Sequence, residues 1–412
     1  MRITQRRSGG RDLDPAPKAY KESARYARAD QLQRRAISPI KVCHLTPLRR
    51  TDERAFTRQS LPGIRDGLRP VIVGPHGVHA LVGGVCFEPT PPPRNRFLRI
   101  LFGLRMVRWA LPHQADIYHV HSPELIPAAL ILKLVYGKTV VYDAREDFPA
   151  MMLTKTYIPS ACRSLLSKAV AAVERVAARS LDGIITADSG SLRALARIGN
   201  SRKLVFYNFP NLRFFPPSIS TEAKYDIVYR GGLSERAGTF VLLRAIKRLA
   251  DLGLRVRLLM FGYTDNDAST DAIRETLESL GISELVTLGG VIPHRQMAET
   301  LSSARILVCP LQKIPKFEHN IPVKVFEAWA CGLAVVATDL PPIRPFLRDR
   351  QYGLLVQPGD SLELADAICK LVSRPELREE FGRRARQAVV DRYNSSRQVS
   401  KLLAFYRRLL SC

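Results

Sequence analysis

Residues 304–340 constrain the fold of this chain more than any other stretch. Residues 306–309 are a short apolar run that ends at a proline, which is typical of a buried strand in a parallel sheet. After a polar loop, Pro322 suits the first turn of a helix, residues 323–329 fill about two turns, and residues 333–337 form the next apolar run. Such a strand–loop–helix–strand unit binds ligands beyond the carboxyl end of its first strand, where the helix N-terminus attracts anions.

An acidic side chain lies inside this predicted helix. The carboxylate of Glu327 could accept both hydroxyls of a ribose while the helix N-terminus holds the attached phosphates. A solvated acid near a helix end would show the same pattern, so the sequence of the helix alone leaves both interpretations open.

The run NIPVKVFEAWACGLAVVATD resembles the P-x-K-x-F-E-x-x-x-x-G-x-P-V-I-A-T/S-D signature of retaining family 4 (group 1) glycosyltransferases, and the resemblance covers roughly residues 40–410. It implies an α/β fold of GT-B architecture. Two Rossmann-like, doubly wound domains would face each other across a cleft, with C-terminal helices crossing back to the first domain. Glu327 matches the second glutamate of the family's E-x7-E motif, which grips the nucleotide ribose. The first glutamate is replaced by His319, with Glu318 beside it, so the contact to the donor sugar would be made differently.

The resemblance and the composition together predict four segments. Residues 1–37 form a basic, poorly ordered extension, and residues 38–215 form an N-terminal Rossmann-like acceptor domain. Residues 216–390 form a C-terminal Rossmann-like domain for the nucleotide sugar, and residues 391–412 return to the first domain. The proline-rich stretch 208–222 marks the linker between the two domains.

Short apolar runs alternate with helical stretches along both predicted domains, which indicates repeated β-α-β units. No G-x-G-x-x-G follows any of the predicted strands, so an oxidoreductase loses its best sequence support. The predicted strands include 40–45, 70–74, 138–143, 182–187, 203–208, 225–230, 256–261 and 285–288, and the predicted helices include 52–66, 94–111, 123–134, 269–280 and 294–303.

The first domain carries a histidine at the end of a predicted strand. His121 closes the strand of the segment HVHSPE, and Pro123 begins a helix, which places the imidazole where open sheets bind ligands. The segment resembles the family's H-x-H-x-P-E, whose second histidine faces the donor sugar. We interpret His119 as structural.

The next strand ends in a cluster of charged residues. The segment YDAREDFP resembles the family's Y-D-x-H-E-D-x-P, which implies that Asp143, Arg145 and Glu146 line the acceptor side. Arg145 replaces the usual histidine. An arginine could clamp a phosphate here, or the segment could be a solvated loop of ion pairs.

The second domain opens with a strand and a glycine turn. Gly231 and Gly232 would let backbone N–H groups approach a diphosphate. The family usually has a basic residue where this chain has Ala237, so Arg236 and Lys324 are the candidate clamps. In the loop 289–294, Ile292 matches the segment that receives the nucleotide base.

These matches imply a retaining glycosyltransferase with His121, His319 and Glu327 as catalytic candidates. It would move a sugar from a nucleotide diphosphate sugar to a glycan or a polyprenyl-diphosphate-linked acceptor in cell-surface polysaccharide biosynthesis. No cofactor and no metal are expected, because fixed dipoles and cations can stabilise the leaving diphosphate. The alternative is a catalytically silent GT-B partner protein.

The chain is strongly basic, with 63 Lys and Arg against 38 Asp and Glu and a formal charge of +25. Such a field attracts nucleic acid, anionic membranes or phosphorylated substrates. The aromatic residues lie mainly in apolar runs, so we expect no nucleic-acid partner. Residues 94–111 are predicted to form a helix that packs on the sheet. The alternative is that its arginines contact lipid headgroups. Residues 1–37 are a lipid-binding arm, an inert tail or the result of a start codon placed too early.

Residues 160–180 predict a long helix. Its Leu165, Leu166, Val170, Val173 and Val176 follow three- and four-residue spacing, which we interpret as packing into the core.

The seven cysteines are scattered and never in C-x-x-C spacing, which indicates reduced thiols and neither a disulfide framework nor a zinc site. No apolar stretch reaches the length of about 18 to 20 residues that spans a bilayer, and the N-terminus lacks the apolar region of a secretory signal. We expect a cytoplasmic protein, with peripheral attachment to the inner face of the plasma membrane left open.

Overall fold

The structure is a computed structural model that describes residues 39–47, 54–75, 79–92, 99–153, 158–188, 202–216, 223–264, 267–347 and 351–411. The predicted extension 1–37 and the first residues of the predicted helix 94–111 lie outside these ranges.

The first half of the molecule is built on an eight-stranded sheet in the order β3-β4-β2-β1-β5-β6-β7-β8. All neighbouring strands are parallel except β3 and β4, which form an antiparallel hairpin that the sequence analysis missed. The strands are β1 (Ile40–Leu45), β2 (Leu68–Gly74), β3 (Ala80–Val82), β4 (Val85–Pro89), β5 (Ile117–Val120), β6 (Val140–Ala144), β7 (Gly183–Thr186) and β8 (Lys203–Val205).

Helices connect these strands on both faces of the sheet, as the β-α-β pattern predicts. The α-helices are α1 (Arg99–Ala110), α2 (Ile126–Leu134), α3 (Phe148–Leu153) and α4 (Ser160–Ser180). Between β1 and β2, the chain forms a π-helical turn (Arg54–Ser60), a short α-helical turn (Leu61–Gly63) and a 3₁₀ turn (Ile64–Asp66). Further 3₁₀ turns are Leu111–His113, Pro123–Leu125 and Leu212–Phe214.

Helix α1 packs on the first sheet, as predicted for the helix 94–111. Phe102, Met106, Val107 and Ala110 are buried in the same apolar cluster as residues of β1, β2 and β5.

The second half is built on a six-stranded parallel sheet in the order β11-β10-β9-β12-β13-β14. Numbered from its own first strand, this order is 3-2-1-4-5-6, the doubly wound arrangement in which β9 and β12 flank the switch point. The strands are β9 (Tyr225–Arg230), β10 (Leu258–Phe261), β11 (Val286–Leu288), β12 (Ala304–Cys309), β13 (Ala334–Thr338) and β14 (Gly353–Val356). The helices are α5 (Thr239–Asp251), α6 (Asp267–Leu280), α7 (Met297–Ser302), α8 (Val323–Ala330), α9 (Arg344–Leu347), α10 (Ser361–Val372) and α11 (Pro375–Asp391), with 3₁₀ turns Glu235–Ala237, Ser283–Leu285 and His294–Gln296.

The last helix, α12 (Ser395–Leu410), returns to the first half of the molecule. Its buried face, including Leu402 and Phe405, shares one apolar cluster with Val42 of β1 and Val141 of β6. The Asn394 side chain caps the helix by accepting from the backbone N–H of Arg397. The predicted crossing of the C-terminal helices to the first domain is therefore confirmed.

Helix α4 contradicts the prediction of core packing. Leu165 is 72% exposed and Val176 is 48% exposed, and Leu166 and Val173 are also exposed. The residues that α4 buries are Glu174, Ala177 and Ala178. The prediction was wrong because three- and four-residue spacing shows that a helix has an apolar face, but it does not show what covers that face.

Within the described residues, no helix is both long enough and apolar enough to span a bilayer. The six described cysteines, Cys43, Cys86, Cys162, Cys309, Cys331 and Cys369, form no disulfide.

Candidate active site

Four of the residues predicted to bind the donor, Gly231, Gly232, Lys324 and Glu327, lie at the switch point of the second sheet. Strand β9 ends at Arg230 and is followed directly by Gly231 and Gly232. Helix α8 begins at Val323 after the loop that leaves β12, so its N-terminus lies at the same sheet edge. The strand–loop–helix–strand unit predicted from residues 304–340 is present.

Glu327 lies on α8 and is fully buried. Its Oε1 lies 3.3 Å from Nη2 of Arg58, and its Oε2 accepts a hydrogen bond from Nη1 of Arg230. Burial excludes the alternative of a solvated helix-end acid. Arg58 belongs to the π-helical turn of the first half, so this ion pair connects the two halves of the molecule.

Lys324 occupies the space beside the glycine turn. A Cβ atom on Gly231 would lie 2.6 Å from Nζ of Lys324, so a side chain at position 231 would displace the ammonium group. Nζ also lies 5.3 Å from the centre of the Tyr229 ring. Burial lowers the pKa of Lys324, while the nearby carboxylate of Glu327 opposes that effect.

The second candidate clamp is placed differently. Arg236 is exposed on the 3₁₀ turn after the glycines, and its backbone carbonyl accepts from the N–H of Gln312. The buried Ala237 fills the position where the resemblance predicts a basic residue. Lys324 is therefore the candidate clamp that lies at the glycine turn.

A cavity of about 150 Å³ lies between the two halves. It brings Arg145 and Glu146, predicted for the acceptor side, opposite the N-terminal turn of α8. Its other lining residues are Ala187, Asp188, Asn208, Phe209, Asn320, Ile321, Val323 and Phe326.

The residues at the start of the E-x7-E spacing do not line this cavity. His319 is exposed and Glu318 is half-buried, while the next residue, Asn320, lines the cavity. The side-chain oxygen Oδ1 of Asn320 is buried and accepts no hydrogen bond from the residues that the structure describes. Asn320 is therefore a polar group that can meet a ligand, which the sequence analysis missed.

His121 follows β5 directly and is fully buried in a stack of three imidazoles. Its Nε2 lies 2.8 Å from Nδ1 of His44, and its ring stacks on His119 with the ring centres 4.4 Å apart. Arg145 donates to its backbone carbonyl at 2.5 Å. The imidazole points into the first half and does not line the cavity, so contact with a donor sugar stays a prediction.

Asp143 lies under the same stack and is also fully buried. Its Oδ2 accepts from Nε2 of Gln59 at 2.8 Å and lies 3.4 Å from nitrogen atoms of both His119 and His121. Asp143 therefore holds the histidine stack, and Arg145 and Glu146 beside it reach the cavity.

The histidine stack has the residue types of a metal site. Nitrogen atoms of His44, His119 and His121 lie within 4.8 Å of one another. The rings stack on one another, however, with interplanar angles of 19° for His119 and His121, 24° for His44 and His121 and 34° for His44 and His119. Lone pairs lie in the ring planes, so stacked rings do not direct them at one point. Burial, with the two neighbouring histidines, lowers the pKa of His44 well below its usual value, which favours a neutral His44 within the stack.

Known proteins are similar to this chain in both sequence and fold. Residues 213–388 match the family described as Glycosyl transferases group 1. The alpha-maltose-1-phosphate synthase of Mycolicibacterium smegmatis is 25% identical over 353 residues, which cover 78% of this chain and 86% of that protein. The phosphatidyl-myo-inositol mannosyltransferase of Mycobacterium leprae is 25% identical over 305 residues, covering 73% and 76%.

Residues 213–388 are a group 1 glycosyltransferase domain, and the chain resembles enzymes of this kind along most of its length.

The fold agrees with this resemblance. The structure of Anabaena HepE in complex with UDP and glucose superimposes with a TM-score of 0.68, at 14% identity, over 89% of this chain and 98% of that one. The predicted GT-B architecture is confirmed, and the chain is a nucleotide-sugar-dependent glycosyltransferase.

This glycosyltransferase adds to the predicted Lys324 two arginines, Arg58 and Arg230, that the sequence analysis did not assign. Arg58, Arg230 and Lys324 surround the single carboxylate of Glu327. The sequence could have indicated Arg230 as a site residue, because it ends a strand immediately before the glycine turn. Nothing near Arg58 in the sequence indicates its role, because its partner lies 269 positions away in the chain.

The predicted base-receiving loop keeps its place at the edge of the second sheet. Ile292 is half-buried against the core of this half, and Gly289 donates its backbone N–H to the carbonyl of Met260 in β10. Its contact with a nucleotide base stays a prediction.

Proposed function

We propose that this glycosyltransferase is a retaining enzyme that moves a sugar from a nucleotide diphosphate sugar to a glycan or polyprenyl-diphosphate-linked acceptor in cell-surface polysaccharide biosynthesis. The observation that carries the proposal is the excess of positive charge around Glu327. Arg58, Arg230 and Lys324 contribute three cations beside one carboxylate, at the end of β9. Such a site suits a ligand with a ribose and a diphosphate.

The donor would bind with its ribose hydroxyls on Glu327 and its diphosphate between Lys324 and the backbone N–H groups of Gly231 and Gly232. Arg230 would keep its contact with Oε2 of Glu327, and a ribose hydroxyl would replace Arg58 at Oε1. A UDP sugar is the first donor class to test, since HepE is described in complex with UDP and glucose. The cations and N–H groups would stabilise the departing diphosphate, so the proposed reaction needs no metal.

The acceptor hydroxyl would approach from Arg145 and Glu146, on the face of the sugar that the diphosphate leaves. A bond forms between the acceptor oxygen and the anomeric carbon, the bond from that carbon to the phosphate oxygen breaks, and the hydroxyl proton passes to the leaving diphosphate. Attack on the leaving-group face retains the anomeric configuration. Asn320, whose Oδ1 has no partner in the described part of the chain, would hold a sugar hydroxyl in the cavity, and His121 would steady the donor sugar.

A lipid-linked acceptor is supported by two observations. The name of one relative, phosphatidyl-myo-inositol mannosyltransferase, specifies a lipid acceptor. The formal charge of +25 also favours an anionic diphosphate carrier. We propose a cytoplasmic enzyme that works at the inner face of the membrane.

The test is calorimetric binding of UDP, GDP, ADP and their sugars to the wild type and to Glu327→Ala. We expect micromolar binding of one nucleotide class that the variant loses. Glu284→Ala, which removes an exposed carboxylate far from the site, is the matched control. NMR of the product then gives the anomeric configuration. A product with inverted configuration, or binding unaffected by Glu327→Ala, would contradict the proposal.

A further inference from the structure

The exposed face of α4 is an apolar surface without a described covering. Leu165, Leu166, Ala169, Val173 and Val176 recur at three- and four-residue spacing and are all exposed, so they share one side of the helix. This side is turned away from Glu174 and Ala178, which pack against the protein. We call these five residues the α4 face. With 21 residues, α4 is about 31 Å long, so the face is a stripe rather than an isolated apolar spot.

Cations lie along one edge of the α4 face. Lys168, Arg175 and Arg179 are exposed at spacings of seven and four residues, which places them side by side. The helix contains a single acidic residue, Glu174, and that carboxylate is buried on the other side, where it accepts from the Tyr142 hydroxyl at 2.7 Å. The surface that α4 presents to solvent is therefore apolar with a positively charged edge.

A second apolar segment lies at the C-terminal end of α4. Leu134, the last residue of α2, and Val135, in the turn that follows, are 72% and 71% exposed. This turn is tied to the end of α4, because Lys133 Nζ donates to Asp182 Oδ1 at 2.6 Å and Asp182 Oδ2 accepts from the backbone N–H of Val140 at 2.9 Å. It can therefore extend the apolar surface beyond the last turn of the helix.

We propose that the α4 face docks on an anionic membrane surface. Aliphatic side chains would enter the boundary between headgroups and acyl chains, and the cations would contact lipid phosphates. A second copy of the chain fits less well, because pairing two α4 faces brings their cationic edges close together. The segment before residue 39 fits less well for the same reason, since it is itself rich in arginine.

The position of α4 places this membrane contact beside the acceptor residues. Through Glu174, α4 holds Tyr142 of β6, and the same strand carries Asp143 and leads to Arg145 at the cavity. An acceptor anchored in the bilayer would reach the cavity from this side. The inference does not depend on the proposed reaction, because docking is measured without donor or acceptor.

The experiment is co-sedimentation of the full chain with vesicles made of equal parts phosphatidylglycerol and phosphatidylcholine, and with pure phosphatidylcholine vesicles. We expect binding to the anionic vesicles that weakens as salt is added. The double variant Leu165→Asp/Val173→Asp should lose about tenfold or more of its partitioning. Its fold should survive, since both side chains are exposed. Leu362→Asp, at an exposed leucine on α10, is the matched control and should bind like the wild type.

Charge-reversal variants distinguish the effect of the cations on α4 from the effect of the net charge of the chain on vesicle binding. Lys168→Glu/Arg175→Glu/Arg179→Glu should lose at least about tenfold of the partitioning. Arg244→Glu/Arg248→Glu/Arg383→Glu makes the same change in net charge at exposed positions of α5 and α11 and should lose much less.

Three results would overturn the proposal. The first is wild-type binding by the Leu165→Asp/Val173→Asp variant. The second is binding that disappears when residues 1–37 are deleted but persists in the α4 variants. The third is a wild-type dimer in sedimentation equilibrium that becomes monomeric in the Leu165→Asp/Val173→Asp variant, which would assign the face to a second copy.

Discussion

Arg58 and Glu327 join the two halves of this glycosyltransferase through a buried ion pair, with Nη2 of Arg58 3.3 Å from Oε1 of Glu327. Arg58 also donates to the backbone carbonyl of Asn208, at the start of the segment between the two sheets. The carboxylate proposed to bind ribose therefore also fixes the arrangement of the halves. A donor that takes Oε1 would loosen this contact, which couples donor binding to the opening of the cleft.

A double-mutant cycle of Arg58→Ala and Glu327→Gln tests this pair. We expect a coupling of about 1 to 3 kcal/mol in the free energy of unfolding, because removing one member leaves charge buried without its partner. The exposed pair Arg255 and Glu284 is the control. Its atoms are closer, at 2.6 Å, but solvent screens them, so its coupling should stay below about 1 kcal/mol. Equal coupling in the two cycles, measured by denaturant unfolding, would show that the buried pair does not connect the halves.

Lys324 and Arg236 are predicted to differ in their effect on donor binding. Lys324→Ala should weaken UDP binding by about 10- to 100-fold, because a charge-assisted hydrogen bond at the glycine turn is lost. Arg236→Ala should weaken it by less than about threefold, since this side chain is exposed. Calorimetry measures both affinities, and the melting temperature shows whether either variant is destabilised. A larger loss of UDP affinity in Arg236→Ala than in Lys324→Ala would show that Arg236, next to Ala237, is the clamp.

Local sequence signals account for the elements at the donor site. Pro322 is the N-cap of α8, and the run that ends at Cys309 is the strand β12, so the position of Glu327 follows from residues within about 20 positions of it in the chain. The β3–β4 hairpin also had a signal that was overlooked, since Gly83 and Gly84 join two apolar runs and both have positive φ.

Contacts between distant segments could not be predicted in the same way. The histidine stack brings together His44 from β1 and His121 after β5, and Tyr406 from the last helix donates to or accepts from His119 at 2.6 Å. Spacing in the sequence carries no information on such pairs, because they depend on strand order and on how α12 crosses back. The same limit explains α4, where the pattern revealed an apolar face but not its exposure.

We predict that Gly238 tolerates no side chain, because of a close backbone contact as well as its positive φ. It has φ +80°, and a Cβ atom there would lie 1.8 Å from the carbonyl oxygen of Pro310. Gly253 has the same φ, and no neighbouring atom of the described residues lies within 4 Å of its Cβ position, so it is a matched control. Gly253→Ala should cost about 1 to 2 kcal/mol of backbone strain. Gly238→Ala should cost several kcal/mol more, because the loop after β12 must move. Similar unfolding midpoints in the two variants would contradict this contact.

Glu174 should make stability fall as pH rises from about 5 to 8. Burial raises its pKa from 4.5 to about 7, although the Tyr142 hydrogen bond opposes this effect. Between these two values the folded state holds a proton that the unfolded state has released, so increasing pH favours unfolding. The lost stability is at most about 3 kcal/mol above pH 7.

The variant Glu174→Gln should remove this contribution, because a neutral amide can still accept from Tyr142. Its stability should exceed that of the wild type by about 1 to 3 kcal/mol at pH 8, with the difference shrinking toward pH 5. Denaturant unfolding at the two pH values measures it, with Glu278→Gln, an exposed position on α6, as the control. A difference that stays constant with pH would mean that the Glu174 carboxyl ionises alike in the folded and unfolded chains.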